Sequence, residues 1–290
     1  MMLAKRMLLL FFRDKLNVFF SLLATLIILL LYVLFLGNIM EQNLQQAIGF
    51  WSDQIRVTMA SLIMAGMVAV TSVTACLGSL GVAVADKQES GKDFLTSPVP
   101  RWKISLGYML GAGMVGMIMT LLALIFVIGY IMIIGGSFPS AANLARLLLT
   151  AVLSALCGNA MMFFITLFIK TENSFSGFST IAGTLLGFIM GIYMPMGMLP
   201  SSVQWVVRIF PMSHGASMFR QTLADGELST MFSGAPEGYL QNFRLLYGVV
   251  FEYGDFLSSF WFSAAVLIGF TAVFFVLSVL VLRFRKASAD

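Results

Sequence analysis

VTMASLIMAGMVAVTSVTACLGSLGVAVA, residues 57–85, holds no charged side chain, and DKQESGKDFLTSPVPR, residues 86–101, follows it at once. As a helix rising about 1.5 Å per residue, the first stretch exceeds the roughly 30 Å of hydrocarbon in a bilayer. A charge inside that layer is costly, so the uncharged interval and its abrupt polar end read as a membrane span emerging into water. The rule extends along the chain. Uncharged stretches run over 16–40, 57–85, 104–145, 147–169, 173–207 and 256–282, and each can cross once. The chain is 59% hydrophobic and only 10% charged, where a soluble domain is about a quarter charged, which selects the membrane class.

We therefore expect an all-α polytopic membrane protein, one domain over residues 1–290, with six transmembrane helices at about 17–38, 57–85, 104–134, 146–169, 174–195 and 256–282. The long third stretch is divided by Gly135-Gly136-Ser137-Phe138-Pro139-Ser140, which reads as a turn. The tetrapeptide Lys170-Thr171-Glu172-Asn173 is a tight connection. Residues 1–16 place Lys5, Arg6, Arg13 and Lys15 around the apolar block 7–12. That pattern suits an N-terminal interfacial helix, and equally an extension of the first span into the cytoplasm.

Basic residues mark the cytoplasmic side. With both termini inside, all seven lysines and Arg6, Arg13, Arg101, Arg283 and Arg285 fall there, leaving five arginines outside. Counting acids as well, the inside carries +6 and the outside −2 of the net +4. The basic excess is topological and calls for no nucleic-acid partner.

The cytoplasmic segment 86–101 begins polar and then offers Phe94 and Leu95 before Pro98, the pattern of a short surface helix with two apolar anchors, suited to docking. Outside, Met194-Pro195-Met196-Gly197-Met198-Leu199-Pro200 breaks the fifth span. Val203, Val206, Val207 and Phe210 then give one apolar face. After Pro211, with Ser213 placed to cap, Met212, Ala216, Phe219 and Leu223 give another, with Arg220 and Gln221 off it. We expect residues 199–255 to form short external helices lying on or dipping into the outer leaflet, joined by the polar stretch 225–238.

Chemistry is sparse. No span holds an acidic residue, and the one histidine, His214, is external and reads as structural or interfacial. Gly91-Lys92 lacks the rest of a phosphate-binding loop, so the chain is not expected to bind ATP or any other cofactor. No nucleophile lies near a base within the spans, so no enzyme activity is expected. Cys76 and Cys157 read as small packing residues, with no disulfide or metal site. Gly183, Gly187 and Gly191, four apart, would leave one face of span five bare for helix packing or a dimer contact. Gly107 and Gly111 form a weaker pair. Met64, Met67, Thr71 and Thr74 offer a polarizable, hydroxylated stripe suited to lining a cavity, or to plain packing.

The segment 86–101 resembles the membrane subunit of the ATP-binding-cassette type-2 exporter family, matching an acidic-x-x-Glu-x-Gly run and a Leu-x-Ser/Thr-Pro-x-x-Arg ending at Glu89, Gly91, Leu95, Ser97, Pro98 and Arg101. MLPSSVQWVVRIFPMSHGASMFRQ, residues 198–221, is similar to the family's external re-entrant region. The resemblance implies a coupling helix carrying Asp86, Glu89, Gly91, Asp93, Phe94, Leu95, Pro98 and Arg101. It implies a permease in the cell membrane, of a bacterium, paired with a second permease copy or a homologous one and with separate ABC ATPase subunits that hold ATP and Mg. The cargo expected is hydrophobic or amphipathic, such as a drug, an antimicrobial peptide or a lipid. An ion-coupled transporter or channel working without an ATPase is the alternative, and the lack of midplane charge weighs against it.

Overall fold

The computed structural model describes residues 2–16, 18–19, 26–27, 29–30, 32–37, 53–89, 101–233 and 238–287. Helices α1 (Met2–Arg13), α2 (Asp53–Glu89), α3 (Arg101–Ile133), α4 (Ala141–Thr166) and α5 (Glu172–Ile189) come first, with a π turn at Tyr32–Leu36 between α1 and α2. Four shorter helices follow: α6 (Ser201–Ile209), α7 (Pro211–Leu223), α8 (Asp225–Met231) and α9 (Tyr239–Leu246). A two-stranded hairpin pairs β1 (Glu252–Tyr253) with β2 (Phe256–Leu257), and α10 (Phe260–Ala287) ends the described chain.

Among the described residues four helices are long and apolar enough to cross a membrane: Gln54–Asp86, Lys103–Ile133, Ala141–Thr166 and Phe260–Phe284. The expected first span, 17–38, is described only in pieces, at 18–19, 26–27, 29–30 and 32–37, and its other residues lie outside the described ones. The expected fifth span is shorter than its uncharged stretch suggested. Helix α5 has 18 residues, about 27 Å, and ends at Ile189 because the chain turns at Gly191, with φ +64°. Gly191 is therefore not on a helix face with Gly183 and Gly187, since a turn, not uninterrupted helix, follows Ile189.

The expected boundaries at 135–140 and 170–173 have clear local causes. Gly135 takes φ +99° after α3, and Ser140 caps α4 by accepting a hydrogen bond from the Asn143 N–H at 3.3 Å. Thr171 does the same for α5, accepting from the Ser174 N–H at 3.2 Å.

Helix α2 is the centre of the bundle, buried along most of its length and packed against α3, α4, α5 and α7. Lipid tails supply little hydrophobic drive between helices, so close approach through small residues matters. At mid-height α2 meets α3 and α4 in such a layer: the Cys76 thiol lies 3.7 Å from the Ala155 carbonyl and covers Gly116, where an added Cβ would stand 2.1 Å from Cys76 Sγ. Asn159 of α4 ties the layer to α3 by donating to the Met109 carbonyl at 2.9 Å. Both cysteines are free thiols and buried.

Helix α1 runs lengthwise along α3. Leu3 sits over Gly107 and Met7 over Gly111, the two chains ascending together, and Phe11 joins Val115 and Met119. The weak pair at 107 and 111 is thus a groove for α1.

Gly116→Ala should lower stability by about 1–2 kcal/mol through overpacking against Cys76. Cys76→Ala on that background should recover most of the loss, because only a methyl at ordinary contact distance then remains. Thermal unfolding of the three variants in detergent checks this, and equal destabilisation of single and double variants would refute the contact.

Candidate functional site

Two polar constellations stand out, one at each end of α2. At its C-terminal end the Asp86 carboxylate accepts both guanidinium nitrogens of Arg6, at 2.6 and 3.1 Å, and the hydroxyl of Tyr108 at 2.6 Å. The fork is a bidentate, charge-assisted pair. It fastens α1 and α3 to the last turns of α2, at the threshold of the segment expected to couple. Of that set, Glu89 closes α2 and Arg101 opens α3, while Gly91, Asp93, Phe94, Leu95 and Pro98 lie outside the described residues. Asp86 is occupied by Arg6 and Tyr108, a role its neighbours in sequence did not announce.

The opposite end is organised by α7. Every residue from Pro211 to Arg220 is buried, and the helix packs against α2, α4 and α10. Of the expected outcomes for 199–255, this helix dips into the bundle. Pro211 begins it, its missing N–H costing nothing at the first helical position. Ser213 does not cap the helix N-terminus as expected. Its hydroxyl donates backward to the carbonyls of Val207 and Phe210, closing the end of α6.

Arg220, expected off the apolar face, is 1% exposed. A buried guanidinium needs acceptors for its five N–H groups. Nε donates to the Leu62 carbonyl at 3.1 Å, Nη1 to the Gly248 carbonyl at 3.5 Å, and Nη2 to the carbonyls of Met190 and, at 3.2 Å, Gly191. Met190 and Gly191 end α5, where carbonyls lack helical partners and the helix dipole favours a cation. Leu62 is inside α2, and its carbonyl is reachable because the residue one turn on is Gly66, where a Cβ would stand 3.0 Å from Nη2. Burial lowers the Arg220 pKa to about 10, which still leaves it charged at neutral pH.

His214 is buried one and a half turns earlier on α7. Its Nε2 lies 3.1 Å from the Arg208 carbonyl, which can only accept, so Nε2 carries the proton. Nδ1 then accepts from Ser263 of α10 at 3.1 Å, and Tyr253 donates to the same Arg208 carbonyl at 2.7 Å. The neutral ring is satisfied, and burial pushes its pKa down to about 4. Its role is to fasten α7 to α6, α10 and the hairpin.

Between these ends lie the other expected site residues. Met64, Met67 and Thr71 are buried in the protomer core, and Thr74 is half-buried. Gly187 is covered by the Tyr193 ring, while Gly183 faces open space. The open polar surface belongs to α5: Ser176, Thr180 and Thr184 are exposed in one line, the two threonines bonding back to the carbonyls one turn earlier. Among the described residues no cluster of three His, Cys, Asp or Glu is placed to hold a metal ion.

A bundle of long apolar helices with a re-entrant helix sunk into one end defines a multi-pass membrane protein. The ABC-2 type transporter family profile matches residues 1–224, and the chain belongs to that family. No curated protein matches it. Membership makes the chain the transmembrane component of an ABC transporter, a permease part that is not itself the ATPase, of a kind that generally works with ABC ATPases.

Arg220→Met should cost about 3 kcal/mol or more, since it strands buried carbonyls, and Arg220→Lys should recover only part because an ammonium cannot span the fork. Unfolding midpoints in detergent test both.

His214 gives a pH dependence. Its folded pKa, about 4, lies below the ordinary 6.5, so the unfolded chain binds the proton first and stability falls as pH drops from about 6.5 towards 4. The wild-type midpoint should decline through that window, and His214→Gln should flatten the decline.

Proposed function

We propose that this chain is the membrane subunit of an ATP-driven exporter, with six spans and both termini in the cytoplasm, working as a pair of permease copies with two separate ATPase subunits. Residues 86–101 form the contact through which the ATPases act.

The observation that carries this reading is the length of α2 and α3. At 37 and 33 residues they reach about 55 and 50 Å, against roughly 40–45 Å for a bilayer with its headgroups. On this reading their surplus lies on the cytoplasmic side, where a soluble partner can reach the sequence that joins them. Phe94 and Leu95 supply the apolar anchors, and Glu89 and Asp93 the charges that meet a basic rim. Asp86 takes the supporting part, holding α1 and α3 to the base of the segment through Arg6 and Tyr108.

The exposed hydroxyl line of α5 supports a translocation path between two copies. Against lipid a continuous polar stripe gains nothing, whereas facing a shared cavity it tolerates varied amphipathic cargo. The open faces of Gly183 on α5 and Gly78 on α2 lie where a second copy can approach. The cargo class is hydrophobic or amphipathic, and the membrane is the cytoplasmic membrane of a bacterium.

Co-expression with candidate ABC ATPase subunits from the same genome should yield, for the cognate one, a complex that copurifies in detergent. Glu89→Lys, or Phe94→Ala with Leu95→Ala, should reduce recovered ATPase by about tenfold or more, as loss of a central apolar anchor does, while membrane insertion is unchanged. Undiminished association in both variants would remove the coupling role from this segment.

A further inference from the structure

Three arginines at the re-entrant end of the bundle are answered by the protein: Arg208 by the Glu252 carbonyl, Arg220 by its ring of carbonyls and Arg244 by Asp225. Arg146 of α4 is not. Among the described residues its guanidinium has neither a hydrogen-bond acceptor nor a carboxylate partner. Its one side-chain contact of this kind is the Phe260 ring at the start of α10, whose centroid lies 5.7 Å from the guanidinium carbon. The residue is exposed and stands five positions past Ala141, where α4 begins, about 7.5 Å along a helix long enough to span. Side chains on a helix lean towards its N-terminus, so the guanidinium reaches back towards the end of α4, where headgroups lie over a spanning helix.

The surface below it is apolar. Leu148, Val152 and Leu156 of α4 and Ile268 of α10 are exposed, and α4 and α10 pack side by side. Trp261, 66% exposed, stands edge-on to Phe260 with ring centroids 5.4 Å apart, and among the described residues its indole N–H has no acceptor. Indole rings favour the headgroup boundary, with the apolar body in hydrocarbon and the N–H towards water. Ala142 and Ala145, exposed and short, leave room beside Arg146 on α4. A free cation, an unsatisfied indole donor and an apolar surface running away from both thus lie together on two helices that face outward.

We propose that Arg146 holds the phosphate of an anionic glycerophospholipid of the phosphatidylglycerol type, whose acyl chains lie along α4 and α10. The planar guanidinium matches two phosphate oxygens at once, and the Phe260 ring beneath it helps to hold the cation in place. The indole N–H of Trp261 is a second donor at headgroup level. Charge selects the headgroup: an ethanolamine ammonium would meet a cation here and no paired acid, whereas glycerol brings only hydroxyls. A soluble anion lacks the chains that cover the apolar surface. A second permease copy has its own place in the proposed reading, on α5 and α2. The site needs the chain to be embedded in a bilayer, and it depends on neither the ATPase nor the direction of transport.

The test is native mass spectrometry of the delipidated full chain in neutral detergent, titrated separately with dioleoyl phosphatidylglycerol, dioleoyl phosphatidylethanolamine and dioleoylglycerol. The first phosphatidylglycerol should bind about tenfold or more tighter than either other lipid, and millimolar inorganic phosphate should not displace it. Arg146→Gln should weaken that first step by about tenfold, the loss of one charge-assisted contact, and leave dioleoylglycerol binding unchanged. Because the side chain is exposed, the lipid-free unfolding midpoint should not move. Lys170→Gln removes one exposed charge from the opposite end of α4 and should leave the first step as it was. Equal binding of phosphatidylglycerol and dioleoylglycerol, equal weakening by the two substitutions, or wild-type binding in Arg146→Gln would overturn the proposal. So would a dimer that Arg146→Gln dissociates, since that would assign this face to a second copy.

Discussion

A cation buried in a membrane bundle has to be answered by acceptors, and around Arg220 the fold is arranged to provide them. The guanidinium collects carbonyls from α2, from the end of α5 and from Gly248 after α9. These three regions are far apart in sequence, so each contribution fixes the placement of a separate element. The turn at Gly191 ends α5 with its carbonyls aimed at Arg220. Gly66 opens the side of α2, and Gly248, at φ +64°, brings its own carbonyl in while leaving room for Met196. Arginine suits this position because its planar fork serves several acceptors in fixed directions, which a lysine ammonium on a flexible stem does not.

His214 extends the same logic with a neutral group. Together the two side chains tie α7 to α2, α5, α6 and α10. That explains how a helix bearing Ser213, His214, Ser217, Arg220 and Thr222 can sit inside an apolar bundle: each polar group finds a backbone carbonyl. A short helix in this position cannot cross the membrane, yet it closes one end of the bundle.

Much of this architecture was legible as spacing between charges. The long helices, the turn at 135–140 and the tight connection at 170–173 follow from the cost of charge in hydrocarbon and from capping by Ser140 and Thr171. Periodicity failed where tertiary acceptors overrule it. Arg220 falls outside the apolar stripe of its own helix, and a helical wheel assigns such a residue to water. Only carbonyls contributed from three distant elements bring it inside. The glycines at 183, 187 and 191 look like one ladder until the chain turns, and the turn is written in Gly191 itself, which serves a positive φ. The Met64, Met67 and Thr71 stripe of α2 has the composition of a cavity lining, but those three side chains are buried against neighbouring helices, while α2 opens near Thr74 and Gly78 and an exposed hydroxyl line runs along α5.

The two polar constellations share one element, and that constrains how any force can cross the bundle. Leu62 and Asp86 lie on the single unbroken helix α2, 24 residues and therefore about 36 Å apart. A helix of that length held in close packing along its flanks resists shear, so a displacement at one end appears at the other as tilt or translation rather than being absorbed locally. At the Asp86 end the movement takes α1 and α3 with it through Arg6 and Tyr108. At the Leu62 end it changes the distance to Arg220, whose other carbonyls belong to α5 and the chain after α9. Under the proposed reading the partner's push enters beside the first group and is felt at the second, where the re-entrant helix closes the bundle.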